Sequence, residues 1–281
     1  MNDYFLAPLH DLAETAPLLT TVWIGFVGGC IGSFLNVVVY RSPLGMSLSH
    51  PPSRCPHCEG RIRWYDNMPV IGWIRLRGQC RDCHQSISIR YPVVEAIVAV
   101  VFVTQWLRDV TFSTDDWSDR GYGFLWHMLL FCSVFCAGLI DWDRQRIPRK
   151  VIVFAIVGGA VLLIVTGAHG SWVSSTFELN PWVAVAVGCA AGTSMTEILR
   201  HRRVFNQQQQ SGFLFNGVGF LLGLYLGTVK SAGVVLASCL AVLVWRRLVS
   251  RTEVSAVSWL LCVGVFVWIA NLVQSYRFCI P

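Results

Sequence analysis

The stretch LLTTVWIGFVGGCIGSFLNVVVY at residues 18–40 decides the fold. It is an uninterrupted apolar run with no charged residue, long enough to carry an α-helix across the hydrocarbon core of a bilayer. Working outward, comparable apolar runs recur at 92–107, 122–140, 151–167, 182–199, 213–229, 232–245 and 255–272, separated by short polar loops. Composition agrees, because 281 residues with 54% hydrophobic and 14% charged side chains carry more apolar surface than one soluble core can bury. The fold class expected is an all-α polytopic membrane protein of about eight transmembrane helices. Only Lys230 and Ser231 separate two of the later runs, so seven is the alternative count.

Asp3, His10, Asp11 and Glu14 stand where a cleaved signal would carry its basic region, so the first span is expected to stay in the protein. Basic residues crowd the alternate loops. Arg41, Arg54, Arg61, Arg63, Arg75, Arg77, Arg81 and Arg90 lie in 41–91, with further clusters at 144–150, 200–203 and 246–251. The opposite loops hold Asp109, Asp115, Asp116, Asp119 and Glu178. By the positive-inside rule the arginine-rich loops are cytosolic. The expected organisation is a short non-cytosolic N-terminus at 1–17, a first transmembrane helix at 18–40, a cytosolic loop at 41–91 and a multi-span membrane domain at 92–281. The formal charge of +6 then reflects topology, and no nucleic-acid partner is expected, because the charges flank spans and form no separate soluble domain.

Within the cytosolic loop, Cys55-Pro-His-Cys58 and Cys80-Arg-Asp-Cys83 form two CxxC knuckles separated by 21 residues. Each can present two thiolates from one tight turn, and two such turns supply a closed tetrahedral site for structural zinc. Two disulfides and four free thiols are the alternatives. A cytosolic location weighs against disulfides. His57 and His84 flank the knuckles as possible substitute ligands. The seven other cysteines fall mostly in apolar runs and read as small packing residues. Asn36 and Glu95 are polar groups in or at the edge of apolar spans, which marks them as candidates for a polar functional pocket, with structural pairing as the alternative. Gly28 and Gly32 have the GxxxG spacing that lets a second helix approach closely.

Taken in order, Gly32-Ser-Phe-Leu-Asn36-Val-Val-Val-Tyr40-Arg41, the first knuckle, Arg63-Trp-Tyr65-Asp-Asn67-Met-Pro69, the second knuckle and Ile87-Ser-Ile-Arg90-Tyr91-Pro92-Val-Val-Glu95 resemble the prepilin leader peptidase/N-methyltransferase family. The resemblance implies an aspartic endopeptidase of the bacterial inner membrane. Such an enzyme removes the basic leader of type IV prepilins or type II secretion pseudopilins at the cytosolic face, and many members then methylate the new N-terminus with S-adenosylmethionine. That cofactor is implied by resemblance alone.

Aspartic peptidase chemistry needs two carboxylates sharing one proton. Leu139-Ile-Asp141-Trp-Asp143 resembles the family's first aspartate motif and makes Asp141 the first of the pair, on the cytosolic side. Pro148-Arg149 departs from the family's usual continuation. The second motif, GxGD, aligns with Gly212-Phe213-Leu214-Phe215, which puts Phe215 where the second aspartate is expected, and no aspartate follows Asp143. Asp143 is a poor substitute, since residues two apart on a helix point to nearly opposite faces. Glu197 is the better stand-in, although Arg200 and His201 at i+3 and i+4 offer it an ordinary ion pair. The readings left open are a working prepilin-processing enzyme, a methyltransferase-only member, and a catalytically silent scaffold that binds pilin-like segments.

Overall fold

The computed structural model of the chain describes residues 12–13, 15–111, 117–143 and 145–165. The later apolar runs at 182–199, 213–229, 232–245 and 255–272, together with Glu197 and Phe215, lie outside the described residues. The chain divides into two compact units, Met1–Leu107 and Arg108–Pro281.

The first unit is a helical pair with a module inserted between its members. Helix α1, Pro17–Arg41, starts with proline at its first turn and ends on arginine. Both placements suit helix termini, because proline lacks the amide hydrogen that would be unpaired there and a cation complements the carbonyl end. Helix α2, Ile71–Arg75, is a short element inside the module. Helix α3, Arg90–Trp106, carries Pro92 in its first turn and continues through a π-helical turn at Leu107–Thr111. The apolar runs at 18–40 and 92–107 thus match α1 and α3 to within two residues at each end.

The pairing of α1 with α3 is written in glycine. A Cβ on Gly28 would lie 2.8 Å from the Phe102 Cβ and 3.0 Å from the Ala99 Cα. One on Gly32 would lie 2.8 Å from the Glu95 Cα. The contacts run in opposite directions along the two helices, Gly25 meeting Val103 and Gly32 meeting Glu95, so the pair is antiparallel. Thr20, Ile24, Gly28, Leu35 and Val39 form the buried stripe of α1. Its outward face is apolar as well, with Leu18, Leu19, Val22, Trp23 and Phe34 exposed. A helix in water places polar residues on that face.

In the second unit, helix α4 spans Trp117–Trp142 and α5 spans Arg149–Val165. They cover the apolar run at 122–140 and the run at 151–167 as far as Val165. Gly158 of α5 sits against Leu129 of α4, where an added Cβ would come within 2.8 Å of the Leu129 Cδ2. Trp126, Ile140, Ile152 and Ala155 are buried almost completely. Among the described residues there is no β-strand, and two helices, Pro17–Arg41 and the stretch Gly121–Ile140, are long and apolar enough to cross a membrane by length and composition.

Overpacking a tight helix contact costs about 1–3 kcal/mol. Gly32→Ala, whose new methyl would press on the Glu95 backbone, is expected to lower the unfolding temperature in detergent clearly. Gly25→Ala should do less, since it meets only the Val103 side-chain end at 3.0 Å. Equal effects from the two variants would contradict the close approach described for Gly32.

Candidate metal centre and the helix seam beneath it

The two knuckles are copies of one local structure, offset by 25 residues in the sequence. In the first, the Cys55 amide donates to the Gly60 carbonyl at 2.9 Å, the Glu59 amide to the Cys55 carbonyl at 2.9 Å, and the Ile62 amide to the Ser53 carbonyl at 3.0 Å. In the second, the Cys80 amide donates to Gln85 at 2.8 Å, the His84 amide to Cys80 at 3.0 Å and the Ile87 amide to Gly78 at 2.7 Å. Each knuckle closes through one isolated antiparallel bridge, Arg54 with Arg61 and Gln79 with Ser86. The residue after each second cysteine, Glu59 and His84, takes a left-handed φ of 56°. That conformation reverses the chain so that both thiols of a CxxC face the same point.

The four sulfurs of Cys55, Cys58, Cys80 and Cys83 lie within 4.8 Å of one another. The Cys55 and Cys83 sulfurs are 3.8 Å apart, and those of Cys58 and Cys80 are 4.0 Å apart. A disulfide needs about 2.05 Å, so these sulfurs are not bonded to each other. A tetrahedron of thiolates with metal–sulfur bonds of about 2.3 Å has an edge of about 3.8 Å. The site therefore has the dimensions of a closed tetrahedral tetrathiolate and can hold a metal ion. Neither His57 nor His84 joins this cluster among the described residues.

The electrostatics explain why a cation belongs there. Amides of Cys58 and His57 donate to the Cys55 sulfur and bring that thiol down to about 6. At Cys83 the Gln85 amide works in the same direction, but burial and hydrogen bonds shared with Cys58, Cys80 and Cys55 outweigh it and push the thiol up to about 12. Four thiols so close cannot all ionise unaided, and a divalent cation supplies the missing compensation.

A second interaction locks the stretch between the knuckles. The Asp66 side chain is only 4% exposed and accepts from Arg75 and Arg81 at 2.6 Å, with a further bond from the Arg81 Nε at 2.8 Å. Arg75 and Arg81 also stand over the Tyr65 ring, at 5.1 and 5.5 Å from its centroid. Hydrogen bonds from Arg81, then Arg75, hold the Asp66 carboxyl down at about 2, against the opposing effect of its burial. Gly72 packs directly on the Asp66 carbonyl, and Trp73 covers Gly78 while donating from its Nε1 to the Ile87 carbonyl at 3.0 Å. These contacts fasten the middle of the module to its second knuckle.

Asn36 and Glu95 lie in the seam between α1 and α3, directly under the module. Both are buried. The Asn36 Nδ2 donates to the Tyr91 carbonyl at 3.3 Å. The Glu95 Oε2 accepts the Val70 amide at 2.7 Å. Val70 has φ 60° and ψ −51°, and the Ile71 amide donates to the Pro69 carbonyl at 2.5 Å, which is the strained, positive-φ form of the γ-turn. A β-branched residue rarely adopts this conformation, at a cost of the order of 1–3 kcal/mol. The short bond from the Val70 amide to Glu95 opposes that cost, and Pro69 fits the space left by Gly29, 3.0 Å from where its Cβ would be. Sequence reading singled out Glu95 but not Val70, whose role depends on a backbone angle that a valine does not advertise. Arg41, one conceivable partner for Glu95, instead donates to the Ser47 carbonyl at 3.0 Å. Asp141 belongs to the last turn of α4 and Asp143 to the turn after it, where the Asp143 amide donates to the Leu139 carbonyl at 3.1 Å.

Comparison with known proteins follows the same boundaries. Residues 26–108, from α1 through the module and α3, match the family described as Bacterial Peptidase A24 N-terminal domain. The prepilin leader peptidase/N-methyltransferase of Myxococcus xanthus (strain DK1622) is 34% identical over 53% of this chain and 42% of its own length. The type 4 prepilin-like proteins leader peptide-processing enzyme of Escherichia coli O78:H11 is 35% identical over 50% of this chain and 55% of its own. The chain thus spans about half the length of these two relatives. The prepilin leader peptidase/N-methyltransferase of Pectobacterium carotovorum subsp. carotovorum is 29% identical over 94% of this chain and 99% of its own. No solved structure matches. Most of the first unit therefore resembles the N-terminal domain of a bacterial peptidase family, and it carries the four-cysteine module. Over residues 26–108 the chain is similar to this peptidase family, and over most of its length to a protein named prepilin leader peptidase/N-methyltransferase.

Purified protein is expected to carry about one zinc per chain, and Cys55→Ser or Cys83→Ser should abolish it; metal analysis showing no metal on fully reduced protein would contradict the closed site. The Asp66 pair contributes stability at any pH above the carboxyl's unfolded value of about 3.9, and loses it as the pH falls from there toward 2. Asp66→Asn should therefore cost a constant amount between pH 7 and 5, on the order of 1–2 kcal/mol after allowing for the partly exposed arginines, and the gap should narrow below pH 4. Thermal unfolding of the two proteins across that range checks the sign.

Proposed function

We propose that this chain is a prepilin leader peptidase-like protein of the bacterial inner membrane, acting on type IV prepilins or type II secretion pseudopilins. The observation that carries the reading is the match of residues 26–108 together with the four-sulfur cluster that the matched segment builds. In this reading about eight helices cross the bilayer, residues 1–17 are non-cytosolic, and the 41–91 module and Asp141 face the cytosol, where a leader is presented. The metal is zinc, and it is structural: four thiolates leave no position for water or substrate.

For cleavage, Asp141 is one carboxylate of the pair that activates water. A carboxylate at a helix end near the membrane surface can accept the water proton, and a second acid must polarise the scissile carbonyl. Phe215 stands at the second position and can neither donate nor accept a proton, and Glu197 is the candidate substitute. Losing one member of an acid–base pair typically costs about 10²–10⁴-fold in rate. We therefore expect weak leader cleavage at most. The replacement by Phe215 favours a second reading, in which the chain is a methyltransferase-only member or a catalytically silent pilin-binding scaffold. When bound, S-adenosylmethionine would supply the methyl group for the mature N-terminus. Its place here rests on the family resemblance. Asn36 and Glu95, the polar residues proposed for a pocket, are both hydrogen-bonded to backbone groups of the chain itself.

Cleavage of a synthetic prepilin in detergent, with the unmodified protein, Asp141→Ala and Phe215→Asp, tests the proposal. The expected result is little cleavage by the unmodified protein and a gain of 10²-fold or more with Phe215→Asp that requires Asp141. Efficient cleavage by the unmodified protein that is lost with Glu197→Gln would assign the second acid to Glu197. Efficient cleavage independent of Asp141 would overturn the reading.

A further inference from the structure

The module carries two surface features that the metal and the peptidase chemistry leave unused. One is charge: 41–91 holds eight arginines and no lysine against only Glu59, Asp66 and Asp82, and although Arg41 is buried, Arg54, Arg61 and Arg77 are exposed. Asp66 is already shared by Arg75 and Arg81, and Asp82 pairs with Arg63 at 3.7 Å. The other is apolar exposure. Trp64 is 80% exposed, Ile71 58% and Ile74 62%. Ile71 and Ile74 are three apart on α2 and share one face, and the 3₁₀ turn Trp64–Asp66 packs against that helix.

The way the module is attached limits what can cover this surface. Because α1 and α3 are antiparallel neighbours, the chain leaves α1 at Arg41 and re-enters α3 at Arg90 at the same end of the pair, beside the Asn36–Tyr91 contact. The Glu95–Val70 bond then draws the centre of the module down onto that end. If α1 crosses the bilayer, as proposed above, the module sits at the headgroup layer with no linker to carry it away. A module with exposed arginines, an exposed tryptophan and two exposed isoleucines is suited to that layer. Tryptophan favours the interface, arginines meet anionic headgroups, and aliphatic side chains enter the acyl boundary. The basic leader implied for prepilins has the wrong sign for this face.

We propose that the four-cysteine module lies on an anionic bilayer surface, with Trp64, Ile71 and Ile74 in the headgroup–acyl boundary and its arginines against lipid phosphates. The proposal rests on the membrane reading of α1, and the test separates the two. The full-length protein is placed in nanodiscs of phosphatidylglycerol or of phosphatidylcholine, with a photo-reactive phenylalanine analogue replacing Trp64, Ile71 or Ile74 in turn. Val22, 62% exposed on the outer face of α1, serves as the in-membrane reference. Mass spectrometry then identifies each adduct.

The expected result is lipid adducts at all three module positions, with yields roughly threefold or more higher in phosphatidylglycerol, while Val22 gives equal yields in both lipids. Lipid adducts at Val22 with none at the module, or adducts there joined to a second copy or to an added prepilin, would overturn the docking and leave the membrane reading standing. Equal yields in the two lipids would also overturn it, since the arginines would then have no part. Loss of lipid adducts at Val22 as well would remove both readings.

Discussion

The first unit depends on how closely α1 approaches α3. Glycines at 25, 28 and 32 remove the side chains that would hold the axes apart, the space so gained is filled by Val103, Phe102 and the Glu95 backbone, and Gly29 makes room for Pro69 of the module. Without that approach Glu95 would not stand under the module, and the Val70 amide would lose its acceptor. A contact between two apolar helices thus sets the position of a polar loop outside them. Small residues let the two backbones pack closely, and the Asn36 hydrogen bond to Tyr91 adds to that van der Waals contact.

Above that contact, the module achieves rigidity with almost no hydrophobic core. Cys55 is its buried apolar residue by exposure, and its other fixed points are polar: the four-sulfur cluster, the Asp66 carboxylate between two guanidiniums, and the Trp73 indole on Gly78. A segment this small buries too little surface to order itself, and a metal held by the four sulfurs would replace the missing core. The arginine pair on Asp66 adds little for an exposed interaction, yet here the acceptor is buried and its geometry is fixed from two sides.

Much of this was legible in the residues. The apolar runs at 18–40, 92–107, 122–140 and 151–167 gave the four long helices nearly to their ends, because a twenty-residue apolar run has few other fates. The CxxC pair and its spacing gave the metal site, and Gly28 with Gly32 gave the packing face. What the residues did not show was the partner of each polar group. Glu95 reads as a candidate for a pocket or for an arginine, and it is a backbone amide 25 residues away that it accepts from. The Asp66 lock was equally silent, since its arginines are 9 and 15 residues along the chain and their convergence needs the folded turn. Long-range pairing of polar groups follows from tertiary geometry and leaves no periodic trace.

The repetition of the knuckle bears on how the metal is loaded. Each half is closed by its own short-range hydrogen bonds, Cys55 to Gly60 and Cys80 to Gln85, and each presents two sulfurs to the cluster. Binding is then the docking of two finished halves, and its entropic penalty is that of closing one loop. Such a penalty rises only with the logarithm of loop length, by about 0.6 kcal/mol per doubling. Loop closure alone would leave the length of the stretch between the halves nearly unconstrained, so its fixed length is set by the Asp66 pair and the Glu95–Val70 bond, which hold it to the second knuckle and to the helix seam.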